Sequence, residues 1–201
     1  MKEKLRELVL PFIILTVICA VLLSLTHSLT KEKIVDNRQK TILEIINDIL
    51  PESYDNDLLD DVMEVREPDY FGSEDVVYVY RLRKDNDPLG VVLTPVIAKG
   101  YNGPVELAIG ISSRGILTGV RVLNHRETEK LGDGIHQNNS HWILQFTHKS
   151  FDNPPREKWA VKSDGGEFDQ LSGATISSRG VLNAVKNTLD YYELNKENLY
   201  R

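Results

Sequence analysis

Apolar residues run without a charge from 8 to 26 (LVLPFIILTVICAVLLSLT), a block set apart from the mixed patterning of the rest of the chain. As a helix it would rise roughly 28 Å at about 1.5 Å per residue, close to the hydrocarbon thickness of a bilayer. Pro11 falls near its start, where a missing N–H is tolerated. A cleaved signal peptide would have an apolar region of about 7–15 residues and a small-residue cleavage site. This run is longer and exits through SLTHS, so it reads as an uncleaved anchor over residues 1–28. Lys2, Lys4 and Arg6 precede it while Lys31 and Lys33 follow, a balance that favours a cytoplasmic N-terminus only slightly.

Beyond the anchor the pattern changes character three times. From 30 to 50 it is amphipathic, with Ile34, Ile42, Ile45, Ile46 and Ile49 among charged residues, and predicts a helix that ends before Pro51. Residues 51–75 are acidic and read as irregular, so 29–75 forms a connecting region. Strand-like runs follow at 76–83, 91–98, 105–111 and 116–123, separated by short turns around Asn86-Asp-Pro88, Tyr101-Asn-Gly-Pro104 and Ser112-Ser-Arg-Gly115. Consecutive strands with such short connections favour antiparallel pairing. After a polar stretch with a brief helical signal at 142–146 comes a loop at 163–173. A closing helix is then expected from near Ser177 to about Leu194, burying Val181, Leu182, Val185 and Leu189. The predicted class is α+β: an antiparallel sheet with packed helices over 76–201, preceded by one N-terminal transmembrane helix.

Composition removes several functions. The net charge of -6 leaves no large basic face for nucleic-acid phosphates. The single cysteine, Cys19, lies in the anchor, so neither an internal disulfide nor a cysteine-ligated cluster can form from this chain alone. Any redox role must therefore use an organic cofactor or a histidine-ligated metal. The spacings of His125, His136, His141 and His148 match no common ligand motif. Ser172, Ser177 and Ser178 lack the G-x-S-x-G setting of a hydrolase nucleophile. Neither GxxxxGK[ST] nor GxGxxG is present, and Asn138-Asn-Ser140 is a glycosylation sequon by pattern only.

One segment carries positive chemistry. In LSGATISS, residues 171–178, small and hydroxyl residues stand just before a predicted helix. Gly173 and Ala174 let backbone amides approach a ligand, and the helix dipole favours an anion there. Ser177 and Ser178 would either cap the helix or donate to phosphate oxygens. On these residues alone, ordinary capping explains the pattern at least as well as ligand binding.

Residues 159–178 (WAVKSDGGEFDQLSGATISS) resemble the flavinylation region of the G-subunit family of the Rnf complex, related to the C subunit of the sodium-pumping NADH:quinone oxidoreductase. The matching positions are Asp169, Ser172, Gly173, Ala174 and Thr175. The resemblance implies that the Thr175 hydroxyl is esterified to the phosphate of FMN by a dedicated flavin transferase, which uses FAD and releases AMP. A second block, GYNGPVELAIG at 100–110, GILTGVRVLNHRET at 115–128 and LGDG at 131–134, is similar to the family's central region in the same order. It brings Tyr101, Glu127, Thr128, Leu131 and Gly132 in as expected cofactor contacts, with Lys162, Ser177 and Ser178 beside the phosphate. Lys162 and Arg179 would balance phosphate charge or stand as solvated surface cations. Where the family often has Pro-Gly between the Glu-Thr pair and Leu-Gly, this chain has Glu129-Lys130, which bears on the shape of that loop.

The function so implied is an electron-transfer subunit of a membrane-bound, ion-translocating Rnf-type oxidoreductase, an electron carrier rather than a stand-alone catalyst. Its partners would be the other subunits of the complex, the flavin transferase and membrane lipid, with no nucleic acid. It would sit in the bacterial cytoplasmic (inner) membrane as a single-pass protein, its FMN-binding domain on the periplasmic side. A span without intramembrane charge makes a poor ion path by itself. The alternative is a membrane-anchored envelope binding module that holds a phosphate-containing ligand non-covalently.

Overall fold

The computed structural model describes residues 2–50 and 53–201 and divides into two compact units, Met1–Glu44 and Ile45–Arg201. Helix α1 runs from Lys2 to Ile49, so the apolar run and the amphipathic stretch after it are one helix with Pro11 in its early turns. Within it Val9–Lys31 is long and apolar enough to cross a membrane. The hydroxyls of Thr16 and Thr26 donate to the carbonyls of Phe12 and Leu22, both at 2.7 Å. Such back-bonding lets a hydroxyl enter hydrocarbon without an unmet hydrogen bond.

The second unit is built on a five-stranded sheet whose spatial order is its chain order: β1 Val62–Val65, β2 Val77–Lys84, β3 Asp87–Lys99, β4 Pro104–Ser112 and β5 Leu117–Asn124. Every neighbouring pair is antiparallel. The α+β class holds, as does the placing of the four longer strands. Residues 51–75 do not conform to the irregular reading. Residues 51 and 52 lie outside the described residues, but β1 and the single-turn helix α2 (Pro68–Phe71) follow. The pattern of β1 is too short to show as alternation, and its pairing with β2 supplies what periodicity could not. The acidic character has a partner too: the Asp61 carboxylate meets Arg81 at 2.6 Å and Arg83 at 2.8 Å.

Helix α3 spans Thr175–Leu199, beginning two residues before the expected Ser177 start and ending five beyond Leu194. Its N-cap, Ala174, offers no side-chain cap, so the usual signal for a helix start is missing. Val181, Leu182, Val185 and Leu189 are buried as the periodicity predicts, and Tyr191, Tyr192 and Leu199 carry the buried face further. They pack with Leu93, Leu107, Ile109 and Val120 from the sheet in one hydrophobic core. The approach of α3 to β3 is closest at Gly180, where a Cβ would overlap the Lys99 carbonyl. Ile46, Ile49 and Leu50 are buried, and a Cβ at Gly119 would stand 3.5 Å from Ile49 Cγ2. Beside them Arg121 Nε donates to Asp48 at 2.6 Å.

Candidate functional site

Three segments far apart in sequence meet around a cleft of about 370 Å³. The turn before β4 brings Tyr101, and the chain leaving β5 brings Glu127, Thr128, Leu131 and Gly132. The start of α3 contributes Gly173, Ala174, Thr175 and Ile176. All but Ile176 were expected from the sequence.

Thr175 is the first residue of α3 and half-buried, with its position on the cleft wall. Gly173 reaches it through a left-handed turn (φ +80°), and a Cβ there would stand 2.9 Å from Leu131 Cδ1. Both the conformation and the close approach favour glycine. The turn is locked from beneath: the Ser178 hydroxyl donates to the Ala174 carbonyl and accepts the Leu171 N–H, each at 3.0 Å. Ser177 Oγ accepts the Tyr101 N–H at 3.2 Å. Ser177 and Ser178 are fully buried, so they neither cap the helix nor face the cleft. Their hydroxyls hold the turn at the start of α3 in place.

The opposite wall is equally tied. Glu127, 9% exposed, accepts the N–H groups of Tyr101 (2.8 Å) and Asn102 (3.3 Å) on Oε1. Asn102 Nδ2 donates to Thr128 Oγ1 at 2.9 Å. The Thr128 carbonyl accepts the N–H groups of Leu131 (3.2 Å), Gly132 (2.9 Å) and Asp133 (3.2 Å). That loop closes with Lys130 in the left-handed region (φ +61°), where the family pattern would put glycine. The departure at Glu129-Lys130 therefore leaves the turn formed, with Leu131 on the cleft wall.

Several expected residues lie elsewhere. Ser172 is exposed beside the cleft rather than in its lining. Asp169 pairs with Lys162 at 2.6 Å on the surface. Its backbone is held by Trp142 Nε1, which donates to its carbonyl at 2.7 Å, and by Gln145 Oε1, which accepts its N–H at 2.8 Å. Arg179 makes two 2.6 Å bonds to Asp164. This contact holds the Asp164 carboxyl below its usual range and raises the Arg179 guanidinium. Lys162 and Arg179 are thus both engaged by carboxylates. The rings of His125 and His136 stand 6.0 Å apart, and burial, then the charge of His125, lowers the pKa of His136. Among the described residues no group of three potential metal ligands gathers.

Two residues escaped the sequence reading. Ile176 is the second residue of α3, and starting the helix at Ser177 left it in a loop. Asn102 looked like an ordinary turn residue until its side chain met Thr128. Ile176 (49% exposed), Leu131 (53%) and Tyr101 (69%) give the cleft an apolar rim.

The donor set suits FMN. It joins a hydroxyl, a left-handed glycine turn and the first-turn amides of a long helix, a setting that favours phosphate. Around them Tyr101, Leu131 and Ile176 offer apolar and aromatic surface for a flat ring. The volume falls within the roughly 300–1,000 Å³ common for small-ligand sites.

Comparison with known proteins points the same way. Residues 100–190 match the model of the FMN-binding domain family. A protein of Pseudoalteromonas atlantica, named as the G subunit of an ion-translocating oxidoreductase complex, is 40% identical over 185 residues, covering 92% of this chain and 86% of the relative. Its namesake in Shewanella amazonensis is 37% identical over 180 residues, 89% of this chain and 84% of the relative. That of Vibrio cholerae is 35% identical over 179 residues, 89% and 86% respectively.

Proposed function

This chain belongs to the G-subunit family of ion-translocating oxidoreductase complexes, and on that premise we propose that it is the electron-carrying subunit of such a complex, with FMN held as a phosphodiester on Thr175. The observation that carries the covalent reading is the position of Thr175, a hydroxyl at the first residue of α3 on the wall of the cleft. When bound, FMN supplies the electron chemistry, and the protein supplies position and electrostatics. The dipole and free amides of the first turn of α3 receive the phosphate, and the bare Gly173 turn lets it approach. Tyr101, Leu131 and Ile176, on the cleft wall, would offer the ring apolar contact. A phosphodiester suits a carrier of this kind, because the cofactor then cannot be lost between turnovers.

The other subunits of the complex donate and accept the electrons, and a flavin transferase installs the cofactor. The span Val9–Lys31 holds the subunit in the bacterial cytoplasmic membrane with the FMN-binding domain on the periplasmic side. The test is direct. The full chain, expressed with a flavin transferase and run on a denaturing gel, is expected to give a band with flavin fluorescence, and Thr175→Val to give a dark one. A dark parent band would leave the non-covalent phosphate-ligand reading in its place. Fluorescence that survives the substitution would put the attachment elsewhere.

A further inference from the structure

We propose that Glu127 is a positioning residue, whose carboxylate clamps the turn at residues 100–103 against the start of α3 and thereby fixes the wall that Tyr101 presents to the cleft. Burying a carboxylate is costly unless its oxygens are occupied. Here Oε1 takes two successive backbone N–H groups, Tyr101 at 2.8 Å and Asn102 at 3.3 Å. Successive amides converging on one anion form a nest, which orders the turn that makes it. The surroundings leave room for the carboxylate and little else. A Cβ at Gly132 would stand 2.6 Å from Oε2, and one at Gly100 would overlap Oε1.

The clamp reaches the attachment helix because the Tyr101 N–H is shared with Ser177 Oγ at 3.2 Å, two residues after Thr175. One amide thus joins the turn before β4, the segment after β5 and the first turn of α3. Asn102 Nδ2, bonded to Thr128 Oγ1, ties the turn a second time. Oε1 is committed to these two amides, so Glu127 acts through the backbone of Tyr101. Its functional consequence, shielding of the ring, rests on the proposal that FMN is carried in this cleft.

The experiment uses the full chain co-expressed with a flavin transferase and purified in detergent. Glu127→Ala is expected to speed amide exchange at Tyr101 and Asn102 by about tenfold or more, the scale of losing a charged hydrogen-bond acceptor. Iodide should also quench the fluorescence of each attached flavin more strongly. Glu127→Gln, which keeps one carbonyl oxygen, should restore most of both. Unchanged exchange at the two amides, or faster exchange with unchanged quenching, would overturn the proposal. Should Glu127→Ala not fold, Glu127→Asp decides, since it keeps the charge but withdraws the carboxylate from both amides. Faster exchange at Tyr101 with stronger quenching supports the clamp, and no change overturns it. A parent protein without attached flavin is a failure of the Thr175 assignment, and exchange at Tyr101 and Asn102 then judges Glu127 alone.

Discussion

At the scale of single residues, the clearest tension lies in the loop between Thr128 and Leu131. Lys130 adopts φ +61°, a conformation that costs an L-residue about 1–2 kcal/mol and glycine almost nothing. Glycine's greater freedom in the unfolded chain offsets about 0.5–1 kcal/mol of that. Lys130→Gly is therefore expected to stabilise the protein by up to about 1 kcal/mol, read as a higher urea midpoint in detergent. Gly173 shows the same rule obeyed, with φ +80°. Thr175, Gly173 and Ala174 were legible because a short motif fixes their identity. Ser177 and Ser178 were misread, because a serine near a helix start looks the same whether its hydroxyl caps the helix or is buried against a neighbouring turn.

Among the elements, β2 to β5 were legible because runs of valine, isoleucine and leucine are bounded by turn residues, and one meander satisfies all of them. The start of α3 was not, since its N-cap is Ala174 and its first turn is fixed by tertiary bonds rather than by a local signal. Nor was β1, whose four residues gain their strand character from pairing with β2. The seating of α3 on β3 depends on Gly180, which lies over the Lys99 carbonyl. Gly180→Ala forces the helix away from that backbone and should destabilise the protein by about 1–3 kcal/mol, despite the better helix propensity of alanine. A midpoint that rises in urea, as propensity alone would dictate, would show that the contact is looser than described.

For the molecule as a whole, the anchor was legible from composition alone, whereas the cleft was not legible from any spacing. Tyr101, Glu127 and Thr175 become neighbours only after the meander has formed and α3 has folded back across it, so family likeness gathered the set before geometry did. Acid sensitivity is also a property of the assembled fold. His136 has its pKa lowered by burial and by His125, so the unfolded chain takes up a proton first as the pH falls. Its contribution is complete above the ordinary value near 6.5 and is lost as the pH falls through the lowered folded-state value. The urea midpoint should therefore drop between about pH 7.5 and pH 5.5, and His136→Asn should flatten that part of the profile.

The same topology sets a timetable. Strand order follows chain order, so the sheet can be laid down in the sequence in which its parts emerge, and two of the three cleft segments flank its last two strands. The third arrives with α3, bringing the Thr175 hydroxyl and the serines that hold its first turn. If Thr175 carries FMN as proposed, an enzyme that reads it in its folded setting has no target on a half-made chain. Under that proposal cofactor loading would serve as a check on completed folding, and a subunit that failed to seat its final helix would go without its flavin.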